Sequence, residues 1–144
     1  VCLIPEDHWL AGEYGSVDLN QLAETETFVT FGDTYPDAMM SIETRLSDKL
    51  RARSRLTVAN MPLAGALVRE ASVLAISDPF SAEQAVRMGG VVFRPIEQNL
   101  TYFVTIVTAQ RESLSREALK FVDFFSNQLK DRVDQVIVLS RESR

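Results

Sequence analysis

Three times in this chain an apolar, strand-like run ends at a hydrogen-bonding residue followed closely by proline, and a helical pattern then begins. Phe28-Val29-Thr30-Phe31 leads to Thr34-Tyr35-Pro36, Leu56-Thr57-Val58-Ala59 to Asn60-Met61-Pro62, and Val73-Leu74-Ala75-Ile76-Ser77 to Asp78-Pro79. Thr, Asn and Asp side chains accept hydrogen bonds from the unpaired amides of a helix's first turn. Proline fits that turn because the N–H it lacks has no intrahelical partner there. If the strands are parallel, all three helix N-termini open at one sheet edge, beyond the carboxyl ends of the strands. Open α/β sheets bind small ligands at that edge, where amides and the helix dipole favour negative charge. The pattern therefore points to a receptor for a small polar molecule.

The remaining periodicity agrees with one α/β domain. Val1–Ile4 reads as a strand stopped by Pro5, and 18–23 as a short helix capped by Asp18 or Ser16. Met39, Ile42, Leu46 and Leu50 recur at helical spacing, followed by a strand at 56–59 and a helix at 63–71. A continuous apolar strand at 73–77 precedes a helix at 80–88, which Gly89-Gly90 terminates. Strands follow at 91–93 and 102–107. The longest helix is expected from Ser115 to about Val136, with Ala118, Val122, Phe125, Leu129, Val133 and Val136 on a stripe read as core rather than as a dimer seam. The fold class is thus α/β: a mainly parallel sheet flanked by helices, plus a long C-terminal helix.

Composition narrows the function. The chain of 144 residues is long enough for one domain and carries a net charge of −5, which disfavours a nucleic-acid-binding surface. No apolar run approaches the roughly 20 residues that span a bilayer, and no basic segment precedes a long apolar stretch. Cys2 is the only cysteine, so a reducing, cytoplasmic setting is expected. Val1 opens in mid-strand without methionine, and the expectation is a piece of a longer protein.

The candidate ligand residues are Thr30, Phe31, Gly32, Asp33, Thr34 and Tyr35 from the first junction, Asn60, Met61 and Pro62 from the second, and Asp78, Pro79 and Phe80 from the third. Gly32 permits close backbone approach, and Thr34 with Asp37 forms a capping-box pattern. Asp33 and Asp78 at an otherwise anion-friendly edge suit a ligand with a positive group beside its carboxylate. Each cap is also, by itself, simply a good helix start. Catalysis finds little support. The single histidine, His8, reads as a solvated loop residue, Cys2 as a small buried thiol, and neither a Gly-x-Ser-x-Gly elbow nor a phosphate loop occurs. No Cys/His spacing suits zinc, so neither metal nor cofactor is expected. Lys49, Arg51, Arg53 and Arg55 read as cations complementing a helix C-terminus.

Several stretches together resemble the effector-binding domain of LysR-type transcriptional regulators. Val1 to Ala11 is similar to that family's opening strand followed by Pro and His, although Trp9 stands where proline is usual. The 18–23 turn with Phe28–Phe31, the segment Ala66 to Pro79, Gly90 to Ile96, and Leu114 to Phe124 resemble successive family motifs in order. Phe28-Val29-Thr30-Phe31 and Asp78-Pro79-Phe80 look nearest to regulators of lysine and opine metabolism. One departure touches the pocket wall: Glu70-Ala71-Ser72-Val73 stands where the family usually has glycines. The resemblance implies two α/β lobes similar to periplasmic binding proteins. This chain would be the second lobe with its return to the first, and the DNA-binding helix-turn-helix would precede Val1. It also implies a small-molecule effector, an amino acid or conjugate, held between the lobes, and a full-length homodimer or tetramer that reaches DNA only through the absent domain. A solute-binding lobe serving transport is the alternative, and an enzyme on the same scaffold the third. Fold resemblance alone does not choose among them.

Overall fold

The computed structural model describes residues 1–31, 48–50, 52, 54, 56–100, 106–130 and 132. They fall in two compact units, Val1–Phe103 and Val104–Arg144.

The first unit is built on a five-stranded sheet: β1 (Cys2–Pro5), β2 (Phe28–Phe31), β3 (Leu56–Val58), β4 (Leu74–Ile76) and β5 (Val91–Arg94), in spatial order β3-β2-β4-β1-β5. β2 pairs in parallel with both β3 and β4. β1 lies antiparallel between β4 and β5, with Cys2 facing both Ile76 and Arg94. Strands β2 to β5 therefore all run one way and β1 alone runs the other. The sheet is mixed, but parallel where the cap-and-proline junctions fall.

Side-chain alternation sorts the core into two layers. Cys2 and Ile4 pack with Leu10, Val17, Leu19, Leu22, Phe28, Leu50 and Ile76 on one face. That face is covered by α1 (Leu19–Thr25) and by a 3₁₀ turn at Trp9–Gly12. Leu3, Val29, Val58, Ala75 and Val91 face the other side, against Ala64 and Val68 of α2 (Met61–Ala71) and Ala82 and Ala85 of α3 (Pro79–Arg87). β1 is buried along its whole length because both layers meet there.

Small residues set how closely the helices approach. A Cβ on Gly65 would stand 3.0 Å from that of Ala85, so glycine lets α2 lie against α3. The α3 helix ends at Gly89 and Gly90, both at positive φ, and a Cβ on Gly90 would meet the Arg69 side chain at 2.9 Å. Arg69 Nη1 in turn donates to the carbonyls of Met88 and Gly89. The turn after α2 is unusual. Ser72 takes the left-handed conformation, φ 50 and ψ 45, which ordinarily falls to glycine. Ser72 therefore carries a side chain on a backbone conformation that glycine usually supplies.

Several sequence expectations shift by one or two residues. α2 begins at Met61 and α3 at Pro79, directly after their caps. Of the expected strand at 102–107, residues 102–105 lie outside the described residues, and Ile106 and Val107 are irregular and exposed. The long helix is α4 (Arg116–Lys130) within the described residues; Val133 and Val136 lie outside them. Its stripe is not core as expected. No α4 residue is buried, Ala118, Val122, Phe125 and Leu129 are half-buried, and Phe121 and Phe124 are exposed. Helical periodicity reports which side of a helix is apolar, not whether anything covers it.

Candidate functional site

Parallel pairing of β2 with β3 and β4 brings Phe31, Val58 and Ile76 to the same sheet edge. The two described junctions open there. Asn60 is the N-cap of α2, its Oδ1 accepting the Leu63 amide at 3.0 Å. Asp78 is the N-cap of α3, its Oδ1 accepting the amides of Phe80 and Ser81, each at 2.9 Å. Gly32, Asp33, Thr34 and Tyr35 lie outside the described residues, as does the Phe31 side chain.

The two caps differ in what they leave for a ligand. Asn60, Pro62 and Pro79 are exposed, and Phe80 is half-buried. Asp78 is only 6% exposed and holds two amides, so its carboxylate belongs to the helix start. It does not present an open negative charge to a ligand's cationic group. Met61 is buried, as an apolar residue at the first turn of an amphipathic helix should be. Among the described candidates this leaves Thr30 and the start of α2 as the groups with ligand-facing chemistry.

Thr30 belongs to a hydroxyl relay. It sits directly across from Thr57 in the β2–β3 ladder, and the two Oγ1 atoms are 3.4 Å apart. Its Oγ1 also lies 2.9 Å from Ser54 Oγ, which donates to the Leu56 carbonyl at 2.8 Å. Ser54 has one proton, and it is committed to that carbonyl, so Thr30 must be the donor to Ser54. Thr30's own proton is thereby spent, so the exposed Thr57 is the donor in the long 3.4 Å contact to Thr30, the weakest link of the group among the described residues and the proton a ligand acceptor would take over. Reading the sequence missed Thr57 and Ser54. Strand alternation in Leu56-Thr57-Val58 placed Thr57 opposite the buried face, but nothing local signalled its pairing with Thr30.

The residues weighed for other chemistry have structural partners. His8 is not a solvated loop residue. Its Nδ1 accepts the Leu10 amide at 3.3 Å, which caps the 3₁₀ turn, and its Nε2 donates to Glu26 Oε2 at 3.2 Å. Burial pushes the Cys2 thiol up to about 12. Lys49 pairs with Glu24, while Arg51, Arg53 and Arg55 lie outside the described residues. Among the described residues no group of His, Cys, Asp and Glu could hold a metal, and no helix is long and apolar enough to cross a membrane.

A cleft of about 260 Å³, between the 9–22 segment and the end of β5, is lined by none of the described candidate residues. The caps and this concavity do not coincide.

Comparison with known proteins places the fold. Residues 1–130 match the family described as the LysR substrate binding domain. The fold is similar to that of HinK, a LysR family transcriptional regulator from Pseudomonas aeruginosa, with a TM-score of 0.62 and 19% identity over 92% of this chain and 45% of that one. It is likewise similar to the effector-binding domain of QuiR in complex with shikimate, with a TM-score of 0.60 and 21% identity over 92% of this chain and 61% of that one. A C-terminal domain of a probable LysR family regulator from Rhodococcus sp. RHA1 gives 0.55 and 22%, over 85% and 60% of the two chains. The chain thus spans about half the length of the solved structures it matches. No curated protein matches it.

Proposed function

The chain belongs to the LysR substrate-binding domain family, the ligand-sensing part of LysR-type regulators, and we propose that it senses a small carboxylate-bearing effector at the carboxyl edge of β2, β3 and β4. The observation that carries this reading is the exposed Thr57 hydroxyl, engaged only by a 3.4 Å contact to the Thr30 relay among the described residues, on strands whose carboxyl ends lead into the N-terminus of α2. Hydroxyl donors and a helix N-terminus both favour an anion. The QuiR domain holds shikimate, a hydroxylated carboxylate, which is the same class of ligand.

The finer reading is an amino acid or an amino-acid conjugate. It rests on the likeness of Phe28–Phe31 and Asp78–Phe80 to regulators of lysine and opine metabolism, and on Asp33 as the acid beside the amine. In this reading the chain is the second lobe with its return to the first. A helix-turn-helix domain of the complete regulator binds DNA, and the chain itself carries out no catalysis. Effector closing the lobes shifts a cytoplasmic homodimer or tetramer between two arrangements, which requires unequal affinity for them.

Calorimetry on the complete effector-binding region tests it, using amino acids, their deaminated acids and their carboxamides. Carboxamides should lose most of the affinity, and Thr57→Val should weaken carboxylate binding by about tenfold, the worth of one hydrogen bond to a charged group. Undiminished binding of the carboxamides would remove the proposed role of this edge. Undiminished binding of the deaminated acids would leave the edge standing and remove the amino-acid class.

A further inference from the structure

The cleft beside β5 is built from fixed parts. Val17 bridges Ile96 through its amide to the Pro95 carbonyl at 2.8 Å and the Glu97 amide to its own carbonyl at 3.0 Å. Gln98 clamps the start of α1, donating Nε2 to Asp18 Oδ1 at 2.6 Å and accepting the Leu19 amide at 2.9 Å. Arg94 Nη2 donates to the Ala11 carbonyl at 2.6 Å, tying the 3₁₀ turn to the strand end. These contacts join positions some eighty residues apart and fix the walls of the cleft relative to one another.

Its walls combine aromatic rings with carboxylates. Trp9 and Tyr14 line it and are 62% and 96% exposed, an unusual state for the two largest side chains of a segment otherwise packed on the core. Trp9 is oriented by its Nε1 donating to Glu26 Oε1 at 3.3 Å. Glu13, Asp18 and Glu97 also line the cleft, and among the described residues the Glu13 and Glu97 carboxylates have no hydrogen-bond or ion-pair partner. Among the described residues that line the cleft, the one cation is Arg94. Its guanidinium is engaged by the Ala11 carbonyl and lies 5.9 Å from the centre of the Tyr14 ring, with Nε buried.

Three carboxylates against one guanidinium repel an anion, and the exposed faces of Trp and Tyr attract an organic cation. We infer that this cleft is a binding site for a small organic ammonium ion with an apolar body, its charge facing Glu13 and Glu97 and its apolar part against Trp9 and Tyr14. The site shares no residue with the proposed effector edge and prefers the opposite charge, so it stands or falls independently of that reading.

Trp9 is the only tryptophan of the chain, so its emission reports on the cleft alone. The test is titration of the 144-residue chain with phenethylammonium, its neutral counterpart 2-phenylethanol and the anion 3-phenylpropionate. Phenethylammonium should shift the Trp9 emission saturably and bind about tenfold more tightly than the alcohol, in line with a cation–π contact at exposed rings added to attraction by the two open carboxylates. The anion should give no saturable change. Glu13→Gln with Glu97→Gln should weaken the ammonium about tenfold and leave the alcohol unaffected. Both glutamates are exposed, and an unchanged melting curve and an unreactive Cys2 would show that the double variant is folded. Equal affinity for the three probes, tighter binding of the anion, no saturable change with the ammonium, or indifference to the double substitution would each overturn the inference.

Discussion

Asp78 distinguishes a helix start from a ligand contact, and replacing it separates the two roles. Its Oδ1 accepts two amides at 2.9 Å from a position only 6% exposed. In Asp78→Ala the amides of Phe80 and Ser81 lose that acceptor. Loss of an N-cap costs about 0.5–2 kcal/mol, and burial puts this case at the upper end. Loss of the negative charge at the helix N-terminus adds up to about 1 kcal/mol, giving about 2–3 kcal/mol in all. Globular proteins unfold with about 2.1 cal/mol/K of entropy per residue, or about 0.3 kcal/mol/K for a chain of 144 residues. The alanine variant should therefore melt about 7–10 °C lower by calorimetry or circular dichroism. Asp78→Asn keeps an oxygen where Oδ1 sits and gives up only the charge, so it should melt within about 3 °C of the parent. An alanine variant that melts within about 2 °C of the parent would refute the cap. An asparagine variant as unstable as alanine would show that the charge, not the acceptor, is what the site requires. Effector affinity of the folded asparagine variant should be unchanged, because the carboxylate faces the helix.

Ser72 sits in the left-handed region, so Ser72→Gly should raise stability by about 0.5–1 kcal/mol, while the β-branched Ser72→Val should lower it by about 1–2 kcal/mol, both read from urea midpoints. Burial holds the Cys2 thiol at about 12, so at pH 8 only about one molecule in ten thousand carries the thiolate. An aromatic disulfide reagent should react with it slowly in the native chain and rapidly in denaturant; fast native reaction would mean that β1 is not in the sheet. Asp18 is held below the usual carboxylate range by the Asn20 amide and then by Gln98. Its lowered folded value makes its contribution complete above the ordinary unfolded value of about 4 and lost as pH falls through the folded one. Asp18→Asn should flatten the stability curve below about pH 4, and an unchanged acid limb would assign the acid sensitivity to other groups.

Much of the site's framework was legible in the chain because it depends on neighbours in sequence. Asn60 and Asp78 cap the helices that follow them because a cap acts over two or three residues. The glycines after α3 end it for an equally local reason, and the alternation Leu56-Thr57-Val58 set which side chains face the core. Other features needed contacts that no local pattern encodes. The sequence marked Asp78 as a cap but not as a buried one, since burial depends on what packs over it. It marked His8 as a loop residue, whereas Glu26, eighteen positions away, gives it a partner. The antiparallel insertion of β1 between β4 and β5 joins positions more than seventy residues apart, and so do the Val17–Ile96 bridge and the Gln98 clamp that build the cleft. The relay from Thr57 through Thr30 to Ser54 likewise exists only because β2 and β3 pair in one register. A sliding window sees hydrogen bonds and periodicities that close within a turn of helix or a pair of strand residues. Which donor is left free, and which carboxylate is left open to a ligand, is decided when distant segments compete for the same acceptors, and that competition exists only in the folded chain.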